Sequence, residues 1–116
     1  MISNIKYELY QANVECNFTF MSYEFVAEYG MTSKINVDNY KMVATGQIKS
    51  ADRVCDILNK LFLEFNSDSP RNFRSMSVSD VVIVIYTENE HIYTKAYYCD
   101  SFGWKELNIK EFLKNE

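Results

Sequence analysis

Hydrophobic residues follow a strand-like period of two in some segments of the chain and a helical period near 3.6 in others. The period of two predicts β-strands at residues 5–14, 40–48, 77–87 and 92–99. The segment 77–87 has a continuous apolar middle, which indicates a central strand, whereas the pattern of 5–14 is typical of an edge strand. Polar residues 88–91 join the last two strands, so we expect an antiparallel hairpin there.

Helical spacing predicts three helices, at residues 17–29, 51–65 and 109–114. Their stop and start signals are Gly30 after the first, Ser50 before the second and a capping box of Asn108 and Glu111 before the third. The apolar faces comprise Phe18, Met21, Phe25 and Tyr29 in the first helix and Val54, Ile57, Leu58, Leu61, Phe62 and Phe65 in the second. Helices mixed with an antiparallel hairpin predict an α+β fold, with the helices packed on one face of the sheet.

Length and charge narrow the functional classes. The 116 residues are enough for a single domain, 1–116, and a hydrophobic fraction of 47% excludes a disordered chain. A net charge of −4 disfavours direct binding to nucleic acid or to an anionic membrane. Acidic and basic residues are evenly mixed, which is typical of a solvated surface and not of a DNA mimic. The longest apolar run, 81–86, is too short to span a bilayer and the start lacks a signal-peptide core, so we expect a cytoplasmic protein.

The cysteines favour neither a disulfide scaffold nor catalysis. There are three of them, widely spaced and without a CxxC pair: Cys16, Cys55 and Cys99. Cys55 lies in the predicted second helix and is expected to be buried. Cys99 and the single histidine, His91, stand at opposite ends of one predicted strand, roughly 26 Å apart, which excludes a catalytic pair. The spacing also lacks the close ligand pairs of structural zinc sites, although a site built from Cys16, another cysteine and carboxylates stays open. We therefore expect no metal, no cofactor and no enzymatic activity.

A polar block between the second helix and the 77–87 strand is the main candidate for a functional site. Two interpretations stand: a site for a small anion or a peptide carboxylate, or a loop that satisfies its own hydrogen bonds, with Arg74 paired to Asp80 or Asp100. The residues expected to structure the loop are Asn66, Pro70, Ser75, Ser77, Asp80 and Asp100. The residues expected to contact a partner are Asp68, Arg71, Arg74, Tyr97, Phe102 and Trp104, because arginine and aromatic side chains dominate binding energy in interfaces.

Two phrases in this region have a specific order: FNSDSPRNFRSMSVSDVV at residues 65–82 and YYCDSFGW at residues 97–104. Together they resemble the YodL-like domain family, over roughly the C-terminal two-thirds of the chain. Such domains occur in small bacterial proteins and in genes of phages, plasmids and conjugative elements, near antirestriction-type proteins. The resemblance implies an inhibitor of a bacterial RNA-guided or restriction nuclease, of the anti-CRISPR or antirestriction kind, that binds its target stoichiometrically. The alternative implied by another branch of the family is a modulator of the bacterial actin-like cytoskeleton and of cell shape.

Overall fold

The computed structural model describes residues 1–13, 16–67 and 71–114. The strands are β1 (Ile2–Ala12), β2 (Tyr40–Ala51), β3 (Val81–Glu88), β4 (His91–Cys99) and β5 (Trp104–Leu107). The helices are α1 (Tyr23–Glu28), α2 (Val54–Glu64) and α3 (Ile109–Leu113), with short 3₁₀ turns at Thr32–Lys34 and Val37–Asn39. None of the helices in this part of the chain is long and apolar enough to cross a lipid bilayer.

Within the described residues the strands form a five-stranded antiparallel sheet in the order β2-β1-β3-β4-β5. An antiparallel sheet with a few short helices is consistent with the predicted α+β class. The expectation that the first strand lies at an edge was wrong, because β1 pairs with β2 on one side and with β3 on the other. Leu9 shows this position, since it lies opposite Ala44 of β2 and opposite Val82 of β3.

Hydrophobic cores lie on both faces of the sheet, which corrects the expectation that helices cover one face. Alternate residues of β3 point to opposite faces, with Val82 and Val84 on one and Val81 and Ile83 on the other. On the face of Val82, which we call the α2 face, the helical residues are Ile57, Leu58 and Leu61. On the opposite face, the α1/α3 face, they are Val26 of α1 and Phe112 of α3. The continuous apolar run of β3 explains the arrangement, because a strand without polar alternation needs cover on both sides.

Helix α2 begins three residues later than predicted. Ser50 and Ala51 belong to β2, and the N-cap position is held by Arg53, whose side chain makes no capping hydrogen bond. The start shifts because the strand signal of β2 continues to Ala51 and is satisfied by pairing with β1. The apolar face is narrower than expected, since Phe62 is 40% exposed. Cys55 is also exposed, so the prediction that it is buried was wrong.

Helix α1 is shorter than predicted and buries a different side. Ser22 caps it, with its hydroxyl accepting a hydrogen bond from the Phe25 amide at 3.2 Å. Val26 is the buried residue of the helix, whereas Phe25 and Tyr29 are exposed and lie with their ring centroids 4.6 Å apart. The turn at residues 17–20 precedes the helix and separates Phe18 from it, so the predicted apolar stripe does not lie along one helix.

The C-terminal region contains a strand that the sequence pattern did not reveal. Strand β5 extends from Trp104 to Leu107 and pairs with β4, with Trp104 opposite Cys99. The helix α3 follows at once, and the Asn108 side chain caps it by accepting hydrogen bonds from the amides of Lys110 and Glu111. The predicted cap at Asn108 is therefore present, although its helix ends at Leu113.

Candidate protein-binding site at one end of the sheet

Asp80 is the centre of a buried polar network just before β3. Its side chain is fully buried, and one carboxylate oxygen accepts hydrogen bonds from the Ser77 amide at 2.9 Å and from Gln11 Nε2 at 3.1 Å. The other oxygen accepts a hydrogen bond from Arg74 Nη2 at 3.0 Å. Gln11 comes from β1 and also donates to the backbone carbonyl of Arg74 at 2.9 Å. The network therefore joins the polar block to the sheet through groups far apart in sequence.

Burial dominates the electrostatics of this carboxylate. It raises the pKa of Asp80 from 3.8 to about 6, because the charged form loses its hydration. The hydrogen bond from the Ser77 amide, the charge of Arg74 and the hydrogen bond from Gln11 act in the opposite direction and offset only part of this effect. Because each of these neighbours donates to the carboxylate, the network is built for the ionised form.

Ser79, the residue before Asp80, connects three further segments. It has a positive φ of 87°, and its amide donates to the Cys99 carbonyl at 2.9 Å. Its hydroxyl accepts from the Phe20 amide at 3.0 Å, and its carbonyl accepts from the Tyr40 hydroxyl at 2.6 Å. Burial is the main cause that raises the pKa of Tyr40 far above 10, so this hydroxyl remains a donor. Residues 77–80 therefore form a turn, and the predicted start of the strand at Ser77 was wrong by four positions.

Asp100 anchors the second phrase of the sequence. Its carboxylate accepts hydrogen bonds from the Tyr23 amide at 3.0 Å and from the Ser101 amide at 2.8 Å. Its own amide donates to the Gly103 carbonyl at 3.0 Å, which closes a turn in which Gly103 has a positive φ of 81°. Phe102 projects from this turn with 97% of its surface exposed. Arg74 pairs with Asp80, so of the two partners considered for this arginine the structure shows the first.

Phe20 joins this region, and no signal in the sequence pattern pointed to it. The residue has a positive φ of 69°, is 59% exposed, and its ring centroid lies 5.1 Å from the guanidinium carbon of Arg74. Its amide is held by Ser79, which in turn bonds to the end of β4. We call the group Phe20, Tyr23, Arg74 and Phe102 the sheet-end surface, because it lies where β3 begins and β4 ends.

Arg71 has hydrogen bonds outside the sheet-end surface, and Trp104 packs on the α2 face. Arg71 donates to the Ser67 carbonyl at 3.0 Å and to the Ser75 hydroxyl at 2.7 Å, and it lines a cavity beside β2. Trp104 begins β5 at the opposite edge of the sheet and packs partly against the α2-face core. The two residues therefore lie near opposite edges of the sheet.

The remaining predicted residues that the structure describes have structural contacts. Tyr97 is buried on the α2 face, and its pKa is raised to about 12, mainly by burial. Asn66 donates from its side chain to the Phe62 carbonyl at 2.8 Å, and the Ser77 hydroxyl donates to the Ser75 carbonyl at 3.0 Å. Asp68 and Pro70 lie outside the described residues.

The buried thiol of β4 and the single histidine lie at opposite ends of that strand. Cys99 is buried, and burial, followed by the charges of Asp80 and Asp100, raises the pKa of its thiol to about 12. His91 is at the other end of β4, opposite Glu88. Across residues 1–13, 16–67 and 71–114, no three His, Cys, Asp or Glu side chains gather where they could hold a metal ion.

The cavities differ in character. A groove of about 850 Å³ lies between the 3₁₀ turn at Thr32–Lys34, β5 and α3. Its charged residues are exposed and of both signs: Lys105, Glu106, Lys110, Glu111 and Lys114. A smaller cavity of about 270 Å³ lies between β2 and the residues after α2, with Phe65 and Phe73 among its walls. The first groove carries exposed charges of both signs, whereas the second has aromatic walls next to a strand edge.

Comparison with known proteins identifies the family of the chain. No curated protein and no solved structure matches it. The family model of the YodL-like domain matches residues 6–110, so the match includes β1 and extends well beyond the C-terminal two-thirds suggested by the two sequence phrases. The chain therefore belongs to the YodL-like domain family.

Proposed function

We propose that the protein is a phage- or mobile-element-encoded inhibitor of a bacterial defence nuclease that acts in the cytoplasm by stoichiometric binding. The observation that carries the proposal is the sheet-end surface. Two phenylalanine rings, Phe20 and Phe102, are exposed there beside the arginine that stacks on one of them. Exposed aromatic residues next to an arginine are the side chains that most often dominate binding energy in protein interfaces.

The backbone beneath this surface supports a binding function. The amides of Phe20 and Tyr23 are fixed by hydrogen bonds to Ser79 and Asp100, and Arg74 is held by Asp80. A surface that is already ordered loses little conformational entropy when a partner binds, so more of the contact energy remains for affinity. The side chains of Ser79, Asp80 and Asp100 are engaged in this support.

The nature of the partner follows from charge and from the family setting. A nuclease must attract a polyanion, so the walls of its nucleic-acid groove are basic. A protein with a net charge of −4 is attracted to such a surface, whereas it is repelled by the nucleic acid itself. YodL-like domains that occur near antirestriction-type genes favour the same class of target.

The test is inhibition of purified nucleases at known stoichiometry. DNA cleavage by an RNA-guided nuclease and by a restriction endonuclease is measured while the protein is titrated. We expect inhibition that saturates near equimolar protein, and loss of inhibition in a Phe20→Ala/Phe102→Ala variant whose thermal stability is unchanged. Ile92→Ala is the matched control, because Ile92 is 76% exposed but lies next to the hairpin turn at the other end of β4.

The same proteins distinguish the alternative. Inhibition at protein concentrations far below that of the nuclease would indicate turnover and would contradict stoichiometric binding. Absence of inhibition across both nuclease classes, together with co-sedimentation of the protein with a bacterial actin-like filament, would favour the cytoskeletal modulator. The double phenylalanine variant then shows whether the sheet-end surface serves that partner instead.

A further inference from the structure

Strand β2 forms one edge of the described sheet. It comprises 12 residues, Tyr40–Ala51, and lies at the end of the strand order with β1 as its neighbour. Among the described residues no backbone hydrogen bond reaches its outer side. A strand in this position presents a row of unpaired amide and carbonyl groups, which is a template for pairing with another strand.

The two edges of the sheet are unequal. The opposite edge is formed partly by β5, which has only four residues, and short strands are one of the common protections of an edge. Strand β2 contains no proline and is the longest strand of the described sheet. It carries Lys41 and Lys49 and no carboxylate, so it is a locally basic strip on a protein with a net charge of −4.

The charges argue against pairing with a second copy. In an antiparallel pair of β2 strands centred on Thr45, Lys41 of one copy comes near Lys49 of the other, although the register shift after Leu9 turns the two side chains to opposite faces. Bringing four lysines together at this edge disfavours the pair through charge repulsion. The same two lysines would attract the carboxylates of an acidic strand.

A cavity next to this edge would accept a side chain of an added strand. It has a volume of about 270 Å³, and its lining includes Ala44 and Thr45 of β2 together with Tyr7, Phe65 and Phe73. Whole small-molecule sites begin at about 300 Å³, so the space suits a single large side chain better than a complete ligand. Alternate residues of an added strand would point to the α2 face, on which this cavity opens.

We propose that β2 is the site at which an extended acidic segment of a partner protein adds as a further strand, with one aromatic or branched aliphatic side chain in the cavity. Backbone pairing supplies affinity in this mode of recognition, and the pocket for an alternate side chain supplies specificity. The site is distinct from the sheet-end surface and goes beyond the proposed inhibition, so either can fail without the other.

The probe is a short synthetic peptide with glutamate and threonine alternating around a central phenylalanine. Binding is followed on ¹⁵N-labelled protein by amide chemical shifts and by hydrogen exchange. We expect slower exchange for alternate amides of residues 41–49, whose outward-pointing groups gain partners, and no change at Phe20 or Phe102. Unchanged amides in β2 at millimolar peptide would overturn the proposal, as would shifts confined to the sheet-end surface.

Charge variants test the commitment to an acidic partner. Lys41→Glu/Lys49→Glu should weaken binding about tenfold, because each exposed pair contributes a modest Coulomb term that reversal turns into repulsion. Lys34→Glu/Lys110→Glu changes the net charge equally but lies outside β2, so it should leave the affinity nearly unchanged. Equal effects of the two variants would overturn the local site.

Three more measurements test the same site. A peptide with lysines in place of the glutamates should not bind the native chain. Ala44→Leu fills the cavity, so it should lower the affinity for the phenylalanine peptide more than the affinity for a peptide with a central alanine. Thermal melting is used first to show that this variant is folded. Protection of the β2 amides that rises with protein concentration in the absence of peptide would show a second copy on this edge and would overturn the proposal.

Discussion

Replacing Asp80 by asparagine tests the network at the start of β3. Asparagine keeps the shape of the side chain but removes the charge and places an amide donor where Asp80 accepts hydrogen bonds from Ser77, Gln11 and Arg74. Near pH 4 the folded carboxyl is already protonated, because its pKa is about 6, so the cost there comes from the added amide donor and not from the lost charge. A buried donor left without an acceptor costs about 1–3 kcal/mol, so we expect Asp80→Asn to lower the free energy of unfolding by about 3 kcal/mol near pH 4.

The cost of the substitution should decrease as the pH rises. The folded state raises the pKa of Asp80 from 3.8 to about 6, so the folded protein binds a proton more tightly than the unfolded chain. The stabilisation of the folded state by this bound proton is fully present below pH 3.8 and is lost as the pH rises through about 6. The rise of the pKa from 3.8 to about 6 corresponds to a free energy of at most about 3 kcal/mol. Asparagine does not titrate, so the difference between the two proteins should shrink by up to this amount between pH 4 and pH 7.5.

Urea denaturation of both proteins at several pH values gives the difference directly, and ¹³C NMR of the Asp80 carboxyl gives its pKa. Asp56→Asn is the matched control, since it removes the same charge from an exposed ion pair with Arg53, and such pairs contribute little. A carboxyl pKa below 3.8 would refute the conclusion that burial outweighs the hydrogen bonds. A stability difference that stays constant or grows with pH would refute it independently.

Three further substitutions or modifications test the packing. Gly46→Ala would place a Cβ 2.6 Å from Tyr7 Cζ, so we expect a loss of about 1–3 kcal/mol in urea denaturation, and wild-type stability would show that the ring moves freely. Leu58→Ala should cost about 2–5 kcal/mol through a cavity under α2, whereas Phe62→Ala should cost clearly less because Phe62 is 40% exposed; equal costs would contradict the orientation of the helix. Cys55 should react with a maleimide in the folded protein, as mass spectrometry of tryptic peptides would show, and protection until unfolding would contradict its exposure.

The sequence pattern was most informative where local chemistry alone decides the structure. The cap formed by the Asn108 side chain lies within four residues, and its hydrogen bonds from the amides of Lys110 and Glu111 are present. The turn after β3 is local too, since Asn89 and Glu90 both adopt a positive φ between paired strands. The start of α2 was predicted too early because Ser50 is a good cap in isolation, while the pairing of β2 with β1 uses that residue instead.

Long-range pairing decided what the pattern could not show. Strand β5 has only four residues, and it forms through pairing with β4, a different segment of the chain. The two-sided core follows from the apolar run of β3, but its helical cover comes from α1, α2 and α3, and no local signal assigns each helix to a face. For the candidate site, the phrases containing Asp80 and Asp100 indicated the right region. Phe20 was assigned to a helix from its local spacing, since its contacts with Ser79 and Arg74 are far along the chain and cannot be seen in the pattern.

The structure separates the recognisable residues of the polar block from those available to a partner. The phrase around Ser77, Ser79 and Asp80 is recognisable because the turn needs these donors and acceptors. Ser77 is hydrogen-bonded to Asp80 and Ser75. Asp80 and Ser79 are engaged with residues far along the chain: Gln11, Phe20, Tyr40 and Cys99. Substitutions in this phrase therefore affect the stability of the fold. A loss of partner binding in such a variant does not show that the substituted residue contacts the partner. Phe102 is 97% exposed on a turn closed by backbone hydrogen bonds, so it can be changed at little structural cost. Residues of this second kind are the ones that can identify the partner surface.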